Sequence, residues 1–177
     1  SLFDGAEYYF LDNYVQYYPS EKQLPLTFNV PVLYENSLLK SDTEENINVG
    51  NNGQVTYEDF ADQTAISYMG TEEDYRQIQE DLPGIYILTL PEDTEGLTGT
   101  FTNLWSIREG VQPKEMAAAI RLMYYLLSDT AQDYLTVQND NNLPLNRNVM
   151  KVFLEVNGDF EGMEDYIDKL TFVGEME

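Results

Sequence analysis

Catalysis by side chains needs a nucleophile, a base or a metal ligand, and this chain lacks the commonest of each. Its 177 residues include no Cys and no His. That removes thiolate nucleophiles, iron–sulfur clusters and Cys-type zinc sites. It also removes the Ser-His-Asp triad and the usual general base. Carboxylate pairs, a Ser/Lys nucleophile and hard-cation binding through oxygen remain. With only five lysines in the chain, a Ser/Lys nucleophile is the poorest of these. The 32 Asp and Glu residues guarantee some close carboxylate pairs. Nothing marks a desolvated acid beside an ionised one, the pairing that glycoside hydrolysis uses. The chain is therefore not expected to be an enzyme.

Calcium is the other chemistry an acidic chain invites. Asn48, Gly50, Asn52, Gly53 and Asp59 follow the rhythm of an EF-hand loop, with Gly at its sixth place and an acid at its twelfth. Yet Asn stands where the first Asp belongs, Gly50 brings no side-chain oxygen, and Asp59 is shorter than the usual bidentate Glu. A loop with one formal charge holds calcium poorly, so the stretch reads as an Asn-Gly turn. No metal or other cofactor is expected.

Recognition without chemistry is better served. Fourteen Tyr and a single Trp, Trp105, supply rings that stack on sugar faces while their polar tips form hydrogen bonds. Tyr8, Tyr9, Tyr14, Tyr124 and Tyr125 fall in helical stripes and read as core. Trp105 follows Asn103 on one strand face beside small polar residues, and is open to both a core and a ligand-contact reading.

The elements that must position these residues follow from spacing. Phe3, Ala6, Phe10, Tyr14 and Tyr17 mark a helix over 2–18 that Pro19 stops. Residues 24–39 are β-rich but interrupted by Pro25 and Pro31, which predicts two short extended pieces at a crossover or sheet edge. Residues 40–56 read as a loop or linker. Thr56 caps a short helix with Asp59 at N3; 65–69 read as a buried strand; Gly70 turns the chain, and Thr71 caps a helix that ends before Pro83. Strands are predicted at 84–90 and 98–107, the latter with Phe101, Asn103, Trp105 and Ile107 on one face. Pro113 opens the strongest helix, with Met116, Ala119, Ile120, Met123 and Leu127 on its core stripe. Asp129 caps another helix ending near Leu135, 139–142 form a polar turn, and a last helix covers about 161–170. Alternating strands and helices give an α/β class, helices packed on a mixed sheet, in one domain over 1–177.

Charge limits the partners. Nine basic against 32 acidic residues leave a net −23, the wrong field for nucleic acid or an anionic membrane. No apolar run approaches the roughly 20 residues needed to span a bilayer. With no leader ahead of Ser1, a mature or excised piece is expected.

Five segments in order resemble the extracellular solute-binding proteins of bacterial ABC importers, the sugar-binding group in particular. They are LPLTFNVPVLYENSLL (24–39), DFADQTAISYMGT (59–71), GIYILTLPE (84–92), TGTFTNLWSIREGVQPKEMAAAIRLMYYLLSDTAQDYL (98–135) and NNLPLNRNVM (141–150). The family's second-lobe body between the first two is reduced to 40–56. The stacking Trp after the Gly70 position is replaced by Thr71, Glu72 and Glu73, and the glycine pair before the 100–107 strand is reduced to Gly99. The resemblance implies a periplasmic-binding-protein-like lobe with a hinge closing on a neutral solute, a carbohydrate, and a membrane permease as partner. It implies an extracellular or cell-surface place. It also implies ligand contacts from Asn29 and Tyr34 on the crossing segment, from Met69, Gly70 and Thr71 at the strand-to-helix turn, and from Asn103 and Trp105 on the returning strand. The competing expectation is an exported interaction or structural domain that keeps the fold and has lost the cleft.

Overall fold

A computed structural model describes residues 7–10, 23–42, 55–140 and 142–174. In chain order its elements are β1 (Gln23–Leu24), β2 (Thr27–Asn29), β3 (Pro31–Asn36), α1 (Ser37–Asp42), α2 (Tyr57–Ala61), β4 (Ser67–Thr71), α3 (Tyr75–Asp81) and β5 (Tyr86–Thr89). There follow β6 (Thr98–Thr102), β7 (Trp105–Ser106), α4 (Pro113–Leu126), α5 (Asp129–Leu135), β8 (Leu143–Pro144), α6 (Arg147–Val156), α7 (Met163–Ile167) and β9 (Thr171–Gly174). The chain is mixed α/β, with helices and three separate sheets. It divides into two compact units: unit 1 takes the chain up to Asn29, Thr98–Gly158 and from Thr171 on, and unit 2 takes Val30–Leu97 with Asp159–Leu170.

Unit 1 carries the sheet β8-β2-β6-β9 and the two-strand ribbon β1-β7. The β2 strand pairs antiparallel with β6 and β8, while β6 pairs parallel with β9. Over this sheet Phe10, Phe28, Phe101 and Phe172 form an aromatic cluster, with Phe10 4.5 Å from Phe172 and 5.3 Å from Phe28 between ring centroids. Edge-to-face contacts of this kind add to the burial of large rings. A side chain at Gly99, on β6, would fall on the Phe172 ring. Behind the sheet, Gln132 on α5 ties three segments together. Its amide donates to the carbonyls of Leu26 (2.8 Å) and Leu126 (3.1 Å), and its carbonyl accepts from the amides of Leu145 (2.8 Å) and Asn146 (3.3 Å).

Unit 2 is built on β4-β3-β5, antiparallel throughout. The two prolines of 24–39 do not push this segment to an edge. Pro25 falls between β1 and β2, and Pro31 is the first residue of β3, where a missing N–H is tolerated; β2 and β3 both run inside their sheets. Fully buried Tyr34, Phe60 and Ile78 fill the core with α2 and α3.

Several sequence expectations change in detail. Residues 7–10 are not helical: Tyr8 bridges Asn146 and Phe10 sits at φ 65°; the rest of the 2–18 helix lies outside the described residues. Of the 40–56 stretch, 40–42 belong to α1, and 43–54 lie outside the described residues. The strand at 65–69 shifts to 67–71 and is half-buried. Gly70 does not turn the chain; it lies in β4 opposite Val32, where a side chain would collide with the Asp74 carboxylate and the Tyr68 ring. The 98–107 strand ends at Thr102, because Asn103 takes the left-handed conformation at φ 52°. Its alternation therefore stops there, and Phe101, Asn103, Trp105 and Ile107 do not share a face. Ser128, not Asp129, caps α5, its hydroxyl accepting from the Ala131 amide. The last helix is shorter, Met163–Ile167, with Met163, Tyr166 and Ile167 inward as expected. The α6 helix was not anticipated. Asn146 caps it by accepting from the amides of Asn148 (2.9 Å) and Val149 (3.2 Å), and Val149, Met150 and Phe153 bury its inner face.

Candidate functional site

The expected contact residues divide between the units. In unit 2, Tyr34, Met69, Gly70 and Thr71 lie on the paired strands β3 and β4, with Leu33 opposite Met69 and Pro31 opposite Thr71. Tyr34 is fully buried and its hydroxyl donates to the Thr71 carbonyl at 2.7 Å. Burial first, and then the charges of Glu72 and Asp74, push that hydroxyl far above its ordinary titration range. It acts as a strand tie. The N–H groups at the start of the following helical turn are taken by the chain itself. Thr71 donates its amide to Asp74 at 2.9 Å, and its hydroxyl accepts from the Glu73 amide at 3.3 Å. Such a capping box satisfies the donors that a ligand would otherwise find. Met69 is exposed.

A hollow in unit 2, about 380 Å³, has Gly84, Tyr86 and Asp159 on its walls. The Asp159 carboxylate accepts from the Tyr75 hydroxyl (2.7 Å) and the Tyr86 hydroxyl (3.3 Å). Both bonds fall on the same carboxylate oxygen, Oδ2. The Asp59 carboxylate, twelfth in the EF-hand-like stretch, accepts from the Thr56 amide and hydroxyl, both at 3.0 Å; residues 48–54 lie outside the described residues. Among the described residues no group of three or more acidic side chains is placed to hold a metal.

In unit 1, Asn29 ends β2 opposite Thr100 and is half-buried. The Asn103 amide donates to the Thr27 hydroxyl at 2.7 Å, which lies 2.7 Å from the buried Thr102 hydroxyl, while the Asn103 carbonyl accepts from the Leu26 amide. Left-handed Asn103 thus fastens the corner between β6 and β7, as short polar side chains do at such turns. That corner turns Trp105 outward. Paired with Leu24 in the β1-β7 ribbon, Trp105 is 43% exposed.

Beside this ribbon lies a groove of about 630 Å³. Leu24, Ile107, Val111, Met116, Ile120 and Met123 make its walls apolar, and the Tyr124 ring borders it. Gln23, Arg108 and Glu109 supply its polar groups. A smaller hollow of about 340 Å³ shares Ile107, Arg108, Val111 and Met123 and has Trp105 on its other side. The volume falls within the range of sites for small organic ligands.

The α4 helix explains the groove. Its capping box, Gln112 with Glu115, and Pro113 at its first turn fix where it starts. The stripe read as core does not find one: none of its 14 residues is buried, and Met116, Ile120, Leu122, Tyr124 and Tyr125 are exposed. Leu127, just past its end, is buried. Sequence reading missed the groove because the 3.6-residue period reports that a face is apolar, not what covers it. The available signal was the second stripe, Leu122, Tyr125 and Leu126, which widens the apolar surface beyond what one core contact uses.

The charges around α4 are unlike those of the chain. From Trp105 to Leu127 stand Arg108, Lys114 and Arg121 against Glu109 and Glu115, so this face escapes the acid excess found elsewhere. No helix among the described residues is long and apolar enough to cross a membrane. No protein-family model matches the chain, and comparisons with curated proteins and with solved structures find no match.

Proposed function

We propose that the chain is a binding module for a small organic solute, holding its ligand in the unit 1 groove and carrying out no chemistry on it. The observation that carries the proposal is the 630 Å³ apolar groove of unit 1 with half-exposed Trp105 beside it. Concave, mostly apolar sites with few polar groups are the usual form of small-molecule sites. The lack of His and Cys supports recognition over catalysis. The reading follows the resemblance to extracellular solute-binding proteins: a periplasmic-binding-protein-like lobe, outside the cell or on its surface, delivering a neutral solute such as a carbohydrate to an importer permease. The chain path supports this finer fold, because each unit is assembled from segments far apart in sequence, with the chain passing between units at Asn29–Val30, Leu97–Thr98, Gly158–Asp159 and Leu170–Thr171.

One observation favours a second reading, an exported interaction domain. A 14-residue helix with no buried residue is also what a protein-docking face presents. A panel of mono- and oligosaccharides and small apolar solutes, titrated while Trp105 emission and thermal unfolding are followed, separates the two. A saturable response with a rise in Tm for any solute is the expected result. Silence across the whole panel refutes solute binding and leaves the interaction reading.

A further inference from the structure

The groove's walls and its one cation together describe a ligand. The apolar walls offer few hydrogen-bond partners, so a hydroxyl-rich solute would lose water contacts there without replacing them. Met116 and Met123, two turns apart on α4, both line the groove, and unbranched thioethers reshape easily around an apolar body. Of its polar groups Gln23, Arg108 and Glu109, Arg108 is the cation, and it lines both the groove and the Trp105 hollow.

Lys114, Arg121, Lys151 and Lys169 also lack an ion pair among the described residues, and what sets Arg108 apart is that it lines the groove. Carboxylates outnumber cations 32 to nine, and Lys40 takes both oxygens of Glu35 at 2.9 Å. Arg147 lies over the Tyr9 ring at 3.8 Å. Among the described residues Arg108 has neither an ion-pair nor a hydrogen-bond partner, although Glu109 follows it in sequence. Its planar fork of donors, which fits a carboxylate with two parallel bonds, is therefore left to whatever enters the groove. A net charge of −23 and Glu109 at the rim disfavour a ligand with several negative charges. One charge on an apolar body fits both constraints.

We propose that the groove binds an amphipathic monocarboxylate, its apolar body against Ile107, Ile120 and Met123 and its carboxylate on Arg108. This rests on the solute-binding reading and replaces the sugar as the solute class. The test uses matched pairs, 4-phenylbutyrate with 4-phenylbutanol and octanoate with 1-octanol, together with maltose, measured by calorimetry and by Trp105 emission. The full chain is compared with Arg108→Gln and Ile120→Gln. Neither side chain is buried, so both variants should keep the parent's circular dichroism and Tm.

The carboxylates should bind roughly three- to tenfold tighter than their alcohols, the range for an exposed Arg–carboxylate contact that the ligand partly shields. R108Q should erase that preference while leaving the alcohols within about twofold. I120Q should weaken both members of each pair by about threefold or more, as lost apolar contact does. Equal affinity for acid and alcohol, or a preference that survives R108Q, overturns the inference. Maltose binding with no response to the carboxylates also overturns it, while upholding solute binding. No response to any probe overturns both readings.

Discussion

Replacing Glu72 by Gln should remove the pH dependence that this one residue imposes on unit 2. Glu72 is fully buried, and one carboxyl oxygen accepts from the Val30 amide at 2.8 Å. The other has no hydrogen-bond partner among the described residues. Burial is the largest influence and holds the carboxyl well above the usual carboxylate range; the Val30 amide and its own amide pull down, and Glu73 and Asp74 push up. From the packed elements, Tyr34 and Tyr166 also face it. The folded chain thus keeps a proton that the unfolded chain releases near its ordinary value. In that window stability falls as pH rises, by about 1.4 kcal/mol per pH unit, levelling off once the folded group also ionises. Below the window the contribution is fully present. Gln keeps an acceptor for Val30 and cannot titrate, but it sets an NH2 where the partnerless oxygen stands, at a cost of about 1–3 kcal/mol. The stability of the wild type relative to the variant should therefore fall as pH rises from 4.5. Because two units can unfold separately, the assay is hydrogen exchange of β3 peptides, wild type against variant at equal pH from 4.5 to 8. A difference that stays flat over this range, or that grows in the wild type's favour as pH rises, would refute a neutral buried carboxyl.

Other perturbations test the packing of unit 1. Gly99→Ala places a methyl on the Phe172 ring and should cost about 1–3 kcal/mol by overpacking; urea unfolding followed by Trp105 emission reads it directly. Gln132→Leu keeps the volume but strips partners from four backbone groups. It should cost about 3 kcal/mol or more, with early hydrogen exchange at Leu145 and Asn146 as its signature. Thr27→Val removes the hydroxyl between Asn103 and Thr102 and should cost about 1–3 kcal/mol. It should also shift the Trp105 emission maximum, since that corner aims the indole.

Local signals in the sequence were legible where a side chain satisfies its own neighbourhood. The cap at Thr56 with Asp59 at N3 forms as spacing predicts, and Thr71 caps the turn that leads into α3. Helices stop before Pro83 and start at Pro113, because a missing N–H and a fixed φ act regardless of tertiary context. Signals that depend on what lies across the fold were not legible. Nothing in Pro31 tells that β3 runs between β4 and β5, since a first-position proline is neutral to its strand's place in a sheet. Gly70 read as a turn because glycine turns chains more often than it makes room inside a strand, yet here the room is for Asp74 and Tyr68. Asn103 broke a stretch read as one strand over 98–107, because hydrogen bonds among Asn103, Thr27, Thr102 and Leu26 hold the left-handed corner.

The candidate site shows the same division more sharply. Trp105 could be singled out from sequence as a ring among small polar residues, but its partners could not. Asn103, chosen beside it, holds the backbone corner, and the residues that line the groove with Trp105 nearby come from the 107–111 segment and from α4. Those residues were visible as an apolar stripe and were assigned to the core. A stripe fixes which face of a helix avoids water, and the free energy of covering it is the same to first order whether the cover is a sheet, a solute or another protein. Only the distribution of polar groups breaks that degeneracy. A core face carries no cation, whereas this face borders Arg108, which has no carboxylate partner among the described residues. The residue that distinguishes a binding groove from a hydrophobic core is therefore the one whose charge the fold leaves unanswered.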